Sequence, residues 1–191
     1  GFGLVVSFAP AGADSTHWGG TLLLYDERAV SVHRVINSSP DYTRVDLEWS
    51  GRRWDVASVY APQDHTERAN LFREFKTKLS TDTIVGGDWN CVPDVTLDVT
   101  GPNAQSYINF GASLLDEAMA THGLLDYRRE QLGNIRETTR VGSNRATRLD
   151  RWYVPTGDAY DSILWNITKR SDLVFKRTGS DHDTVILTIE T

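Results

Sequence analysis

Two runs of alternating residues meet at Ser50-Gly51, and they constrain this 191-residue chain more than any other feature. Thr43 to Trp49 sets Val45, Leu47 and Trp49 against Arg44, Asp46 and Glu48. Arg53 to Tyr60 alternates again, with Trp54, Val56, Ser58 and Tyr60 against Asp55, Ala57 and Val59. Successive side chains of a strand point to opposite faces, so both runs read as strands, and the glycine-containing turn makes them an antiparallel hairpin. Ala61-Pro62 ends the second strand, because proline cannot donate to a ladder.

Helices and strands then alternate. Thr66 to Leu79 carries Leu71, Phe72, Phe75 and Leu79 as a stripe at helical spacing. Ile84-Val85 reads as a short strand stopped by Gly86-Gly87, and Cys91 to Gly101 as a loop. Tyr107 to His122 reads as a second amphipathic helix, with Phe110 on its apolar side and Gly123 as its C-cap. Leu149 to Val154 and Thr184 to Glu190 read as late strands. Strands opening and closing the chain around helices predict an α+β or layered α/β/β/α domain spanning residues 1–191.

The opening Gly1 to Ala13 carries no charge. It reads as a strand, Leu4 to Phe8, followed by a Pro/Gly turn, rather than as a signal peptide, which needs a basic start. Beginning on Gly1 predicts that the chain was cut from a longer one. One cysteine, Cys91, excludes an internal disulfide framework and a multi-cysteine zinc site. No run of apolar residues is long enough for a membrane helix. Asn37-Ser38-Ser39 and Asn166-Ile167-Thr168 read as chance matches to the glycosylation pattern.

The net charge of −6 argues against holding nucleic acid by bulk charge. The charge is uneven: residues 1–127 carry −8, and residues 128–151, with seven arginines, carry +4. That stretch is either a contact for a polyanion or a solvated basic loop.

Four segments put hydrogen-bonding residues at strand ends: Val59-Tyr60-Ala61-Pro62, Gly86-Gly87-Asp88-Trp89-Asn90, Thr147-Arg148-Leu149-Asp150-Arg151 and Ser180-Asp181-His182. Strand ends gather at one edge of a layered domain, where loops carry function. Asp88 and Asn90, two apart, project to one side of an extended chain; the alternative is that Gly-Gly-Asp is a turn. Asp181-His182 supplies a carboxylate beside an imidazole, or an ordinary surface pair. Carboxylates, an amide, a histidine and a tyrosine without a cysteine cluster suit hard-metal oxygen chemistry on phosphodiesters. No G-x-S-x-G elbow exists, which disfavours acyl transfer.

In the order VYAP, GGDWN, TRLDR, SDH the chain resembles the endonuclease/exonuclease/phosphatase superfamily, and within it the apurinic-endonuclease-like domain of non-LTR (LINE-type) retrotransposons. GGTLLLY, the helix from Arg68, and Gly123-Leu124-Leu125-Asp126 add to the resemblance. It implies a four-layered, DNase I-like sandwich and a Mg²⁺- or Mn²⁺-dependent endonuclease that nicks DNA, exposing a 3′-hydroxyl for reverse transcription. It further implies a reverse transcriptase domain in the same polypeptide, a nuclear setting and no membrane. An inactive remnant, or another phosphohydrolase of the superfamily, is the alternative.

Residue by residue, the resemblance implies that Asp88 activates water or handles the leaving group's proton. Asn90 orients that group and Tyr60 binds the phosphate. His182 stabilises developing charge, and Asp150 orients it. Asp181 is implied as a metal-side carboxylate, and Thr147, with Thr138 more weakly, as contacts to the DNA backbone. Arg140, Arg145 and Arg148 belong to the basic stretch that would meet DNA. Members also open with a strand–helix–strand ending in a Gln-Glu-Thr-like motif, whose glutamate is the principal metal ligand. Residues 1–191 have no match for it, and Asp14 and Asp26 lie in the wrong place. The resemblance therefore implies a domain lacking that opening segment and reduced in activity.

Overall fold

The computed structural model describes residues 1–8, 20–171 and 179–190. Its strands are β1 Phe2–Phe8, β2 Gly20–Asp26, β3 Val30–Ser38, β4 Tyr42–Trp49, β5 Arg52–Tyr60, β6 Thr83–Asp88, β7 Val99–Thr100, β8 Leu124–Asp126, β9 Arg140–Val141, β10 Ala146–Thr147, β11 Asp150–Pro155, β12 Leu164–Arg170 and β13 Thr184–Glu190. Its helices are α1 His65–Lys78, α2 Val95–Asp98, α3 Ala112–Thr121 and α4 Tyr127–Leu132. The turn expected after the first strand, and Asp14 within that region, lie outside the described residues.

Six strands form the main sheet in the order β3-β4-β5-β6-β11-β8. β4 and β5 make the expected hairpin, and Ser50 (φ 53°) and Gly51 (φ 73°) turn it in the left-handed region that a two-residue hairpin favours. β5 and β6 run parallel, joined by α1, while β6 and β11 run antiparallel. β1-β2, β12-β13 and β7-β10-β9 form three smaller sheets.

The two faces of the main sheet meet different layers. Tyr42, Ala57, Val59, Val85 and Tyr153 pack with Leu71, Phe72 and Phe75 of α1 and Leu115 and Met119 of α3. Trp54, Ile84 and Val154 pack on the other face with Trp165 of β12 and Leu187 and Ile189 of β13. Coverage on both sides is why β5 is apolar on both of its alternating faces. β2 contacts the same sheet at β4 and β5, and the Thr21 and Thr43 hydroxyls are 2.6 Å apart in that buried contact. None of the described helices is long and apolar enough to cross a membrane.

Three local expectations change. β3 was not evident from sequence, because two register shifts against β4 break its alternation. The expected second helix begins only at Ala112. Gly111 takes φ 86°, and the Asn109 side chain ties the preceding loop to Val92, accepting from its N–H at 3.0 Å and donating to its C=O at 2.5 Å. Phe110 is thereby excluded from the helix and lies half-exposed in the loop. Inside the expected 91–101 loop, Asp94 caps one helical turn, α2, by accepting the N–H groups of Thr96 and Leu97.

Candidate active site

Register and parity build the site. Tyr60 pairs with Asp88 across β5–β6, and Asp88 with Asp150 across β6–β11. Paired residues project to one side of a sheet, and each of these three shares the parity of a residue facing the second sheet: Val56, Ile84 and Val154. Tyr60, Asp88 and Asp150 therefore stand in a row at one sheet end, on the side where β13 begins. His182 precedes β13 and completes the row.

Glycine makes the row possible. Gly87 has φ 151°, and a Cβ there would lie 1.8 Å from the Val59 carbonyl oxygen. At Gly86 a Cβ would lie 2.3 Å from the Trp152 ring, which occupies that space. Trp89 has the opposite parity from Asp88. It is fully buried among Phe72, Phe75 and Tyr153, with its indole N–H donated to the Arg151 carbonyl at 3.2 Å. An anchored Trp89 fixes Asp88 and Asn90 on either side of it. Asn90 takes φ 47°, tolerable for asparagine; its N–H donates to Asp88 Oδ1 at 2.9 Å, and its amide donates to the Ala61 carbonyl at 2.7 Å. The Gly-Gly-Asp segment is thus strand β6 as far as Asp88.

His182 Nδ1 lies 2.9 Å from Asp150 Oδ2 and 3.2 Å from Oδ1, so Nδ1 carries the proton and donates. Its Nε2 faces Asp88 Oδ2 at 3.9 Å. The hydrogen bond to Asp150 raises the His182 pKa above its ordinary value, more than burial lowers it. Burial pushes the Asp88 carboxyl up, and the neighbouring Asp150 charge adds to that. A raised folded value means that the native state holds the proton more tightly. The His182–Asp150 contribution to stability is therefore complete below about pH 6.5 and is lost as pH rises through the folded value. The His182 imidazole should titrate above about 6.5 by NMR. In Asp150→Asn the midpoint should fall, because burial then acts with less opposition; an unchanged midpoint would remove Asp150 as the cause.

One residue that sequence reasoning passed over locks Asp150. Thr139 is 1% exposed, and its hydroxyl donates to Asp150 Oδ2 at 2.7 Å while accepting the N–H groups of Leu149 and Asp150 at 3.0 Å. The Asp183 N–H donates to the Thr139 carbonyl at 2.6 Å, lacing the segment before β9 to the His182 segment. Thr138, the expected contact, offers its carbonyl to Lys169 Nζ at 2.9 Å instead. Thr139→Val leaves the buried Leu149 N–H and the part-buried Asp150 N–H without this acceptor, so it should cost about 1–3 kcal/mol in denaturant unfolding, whereas Thr139→Ser retains the hydroxyl.

The basic stretch divides: Arg148 and Arg151 are buried, Arg128 and Arg129 are ion-paired and half-buried, and Arg136, Arg140 and Arg145 keep solvent access. Arg148 is 1% exposed and ion-paired with Asp98 and Asp126, which removes it as a contact for DNA. Arg151 is buried and donates to the Cys91 and Arg148 carbonyls. Arg128 pairs with Glu137, and Arg129 with Asp98. Thr147 is 3% exposed, within β10. Arg145 lies over the Tyr107 ring, 5.5 Å from its centroid. Arg140 Nε donates to Asp181 Oδ2 at 2.8 Å, and both side chains are half-exposed.

The donor set that converges is Asp88, Asp150 and His182, with one ligand atom from each within 4.8 Å of the others. Asp181 stands at its edge, with Oδ1 3.8 Å from His182 Nε2 and Oδ2 accepting from Arg140. Two carboxylates with overlapping repulsion, one of them driven toward its neutral form, suit a hard divalent cation. The Asp88 carboxylate faces the oriented His182 imidazole, and Asn90 is tied to the row by its N–H on Asp88 Oδ1.

No protein-family profile matches the chain. Over its whole length it superposes on the endonuclease domain of TRAS1, a telomere-specific non-LTR retrotransposon, with a TM-score of 0.67, 16% identity and 80% of that chain covered. It superposes equally on the AP endonuclease LMAP from Leishmania major, with a TM-score of 0.68, 13% identity and 71% of that chain covered. The chain has the endonuclease/exonuclease/phosphatase fold. In sequence, 114 residues are 32% identical to a Xenopus laevis protein described as the transposon TX1 uncharacterized 149 kDa protein. The match spans 55% of this chain and 8% of that relative. In the endonuclease/exonuclease/phosphatase fold seen here, the convergent row lies at the end of the main sheet, beside the first residues of β13.

Proposed function

We propose that this chain carries the catalytic site of a divalent-cation-dependent phosphodiesterase that nicks one DNA strand within a retrotransposon polyprotein. The 3′-hydroxyl so exposed would prime a reverse transcriptase domain of the same polypeptide, in the nucleus. The observation that carries this reading is the meeting of Asp88, Asp150 and His182 at one sheet end. The fold shared with a retrotransposon endonuclease and the identity to a transposon protein favour DNA as the substrate and a retroelement as the source.

Each group has a task that its surroundings suit. Asp150 holds the His182 imidazole in one tautomer and favours its protonated form, which opposes the charge that develops on the phosphate. Asp88, with its raised pKa, accepts a proton from water or returns one to the leaving oxygen. Asn90 keeps a donor for a phosphoryl oxygen, since the Ala61 carbonyl takes only one of its two amide hydrogens. Asp88 and Asp150 would hold the cation. Bound there, Mg²⁺ or Mn²⁺ supplies charge neutralisation at phosphoryl oxygens and lowers the pKa of water.

A second reading, DNA contact without turnover, has one observation in its favour. The resemblance implies a glutamate as principal ligand, and the described cluster contains none. Relaxation of supercoiled plasmid separates the two readings. Nicking that requires Mg²⁺ or Mn²⁺ and stops with EDTA supports the first. A plasmid gel shift with no nicking in either metal supports the second, and neither binding nor nicking sinks both.

A further inference from the structure

The loop of residues 107–111, which leads into α3, holds two large apolar side chains in solvent. Phe110 is 50% exposed and Ile108 68%. The Phe110 ring stacks on the exposed His65 imidazole, with centroids 4.2 Å apart and planes 28° apart. That loop and the segment leading into α1 are both fastened by Arg68, itself 3% exposed. Its Nε and Nη2 donate to the Phe110 carbonyl at 3.3 and 3.2 Å, and its Nη1 donates to the Pro62 and Gln63 carbonyls at 2.8 and 2.9 Å. A buried guanidinium thus fixes the backbone behind a ring that remains in water. The pair is presented rigidly, so little ordering entropy is left to lose when something stacks on it.

Its position follows from the same contacts. The Ala61 carbonyl that accepts from Asn90 is four residues before His65, which keeps those two backbone positions within about 14 Å of each other. With about 3.4 Å of rise per nucleotide on one strand, that is about four nucleotides. On the Phe110 loop, Tyr107 carries the Arg145 guanidinium over its ring, adding a cation for the backbone.

Resting on the phosphodiesterase reading, we infer that His65 and Phe110 form a stacking platform for an unpaired nucleobase within about four nucleotides of the scissile phosphate. Any base offers a π-face, so the platform selects by ease of unstacking rather than by hydrogen-bond pattern. Sites with a pyrimidine–purine step within about four nucleotides of the nick should therefore be favoured, because such steps unstack most readily.

The test maps the nicks made by the chain, then places 2-aminopurine at successive positions around them in a duplex oligonucleotide bound under EDTA. The fluorescence of a probe within about four nucleotides should change on binding to the wild-type chain. In Phe110→Ala, checked for folding by circular dichroism, that change should disappear and affinity by anisotropy should fall about 5- to 150-fold. Phe110→Trp should restore both, and Phe110→Leu, apolar without a π-face, should restore neither. Wild-type binding and probe signal in Phe110→Leu would overturn stacking in favour of an apolar contact. A Phe110→Ala chain that binds and nicks like the wild type would overturn this inference while leaving the phosphodiesterase reading intact. A wild-type chain that neither binds nor nicks DNA removes that reading, and the platform with it.

Discussion

Replacing His182 with alanine should lower plasmid nicking by about 10²–10⁴-fold, the range for loss of a positioned acid–base group. The side chain is 27% exposed and its ring reaches Asp150 and Asp88 only at the end of the sheet, so the fold should survive its truncation. Asp150→Asn should also lower the rate, because the imidazole is no longer held as the Nδ1–H tautomer beside a full charge and one carboxylate of the cation pair is lost. The rate of the histidine variant decides the matter. Nicking at the wild-type rate would mean that His182 is only a surface partner of Asp150.

The second large effect lies out of solvent. Asp98, at the end of α2, is fully buried and accepts from Arg148 Nε at 2.6 Å and from Arg129. Its carbonyl also takes the Arg148 N–H at 2.9 Å. Asp98→Ala leaves the buried Arg148 guanidinium with Asp126 as its remaining carboxylate, at 2.7 Å. Removing one partner of a buried ion set costs about 3–5 kcal/mol, since the other charge stays desolvated. Denaturant unfolding should register that loss. A change below about 1 kcal/mol would show that Arg148 regains water, contrary to its burial. Because Arg148 lies two residues before Asp150, the variant should also loosen the site, seen as a lowered His182 midpoint.

Much of this was legible along the chain. Strict alternation identified β4 and β5, and the apolar stripe identified α1, because both faces of the main sheet and one face of the helix are buried. The second helix was overextended because Phe110 and Tyr107 continue the apolar spacing. Spacing records which residues are apolar, not that Gly111 at φ 86° breaks the backbone path. β3 stayed hidden because bulges shift its parity against β4. Thr139 was missed beside Thr138, since both precede β9 in an irregular segment, and only the hydrogen bond from the Thr139 N–H to the Thr147 carbonyl of β10, at 2.8 Å, fixes which of them meets Asp150. A signal for Asp98 did exist: an acid flanked by Leu97 and Val99, in a chain with arginines to spare downstream.

By itself the sequence determined the residue types and their order: Tyr60, Asp88-Trp89-Asn90, Asp150 and His182, each at a strand end, because a strand's period of two and its glycine or proline stops are written locally. Only the tertiary structure decided which of them meet. Parity and register aligned Tyr60, Asp88 and Asp150, while Arg128, Arg129 and Arg148 turned to carboxylates, Asp98 among them, and left Arg136, Arg140 and Arg145 with solvent access. The physical reason is that a charge count does not record solvation. An arginine contacts a polyanion only if it remains in water, and burial is set by how the layers pack.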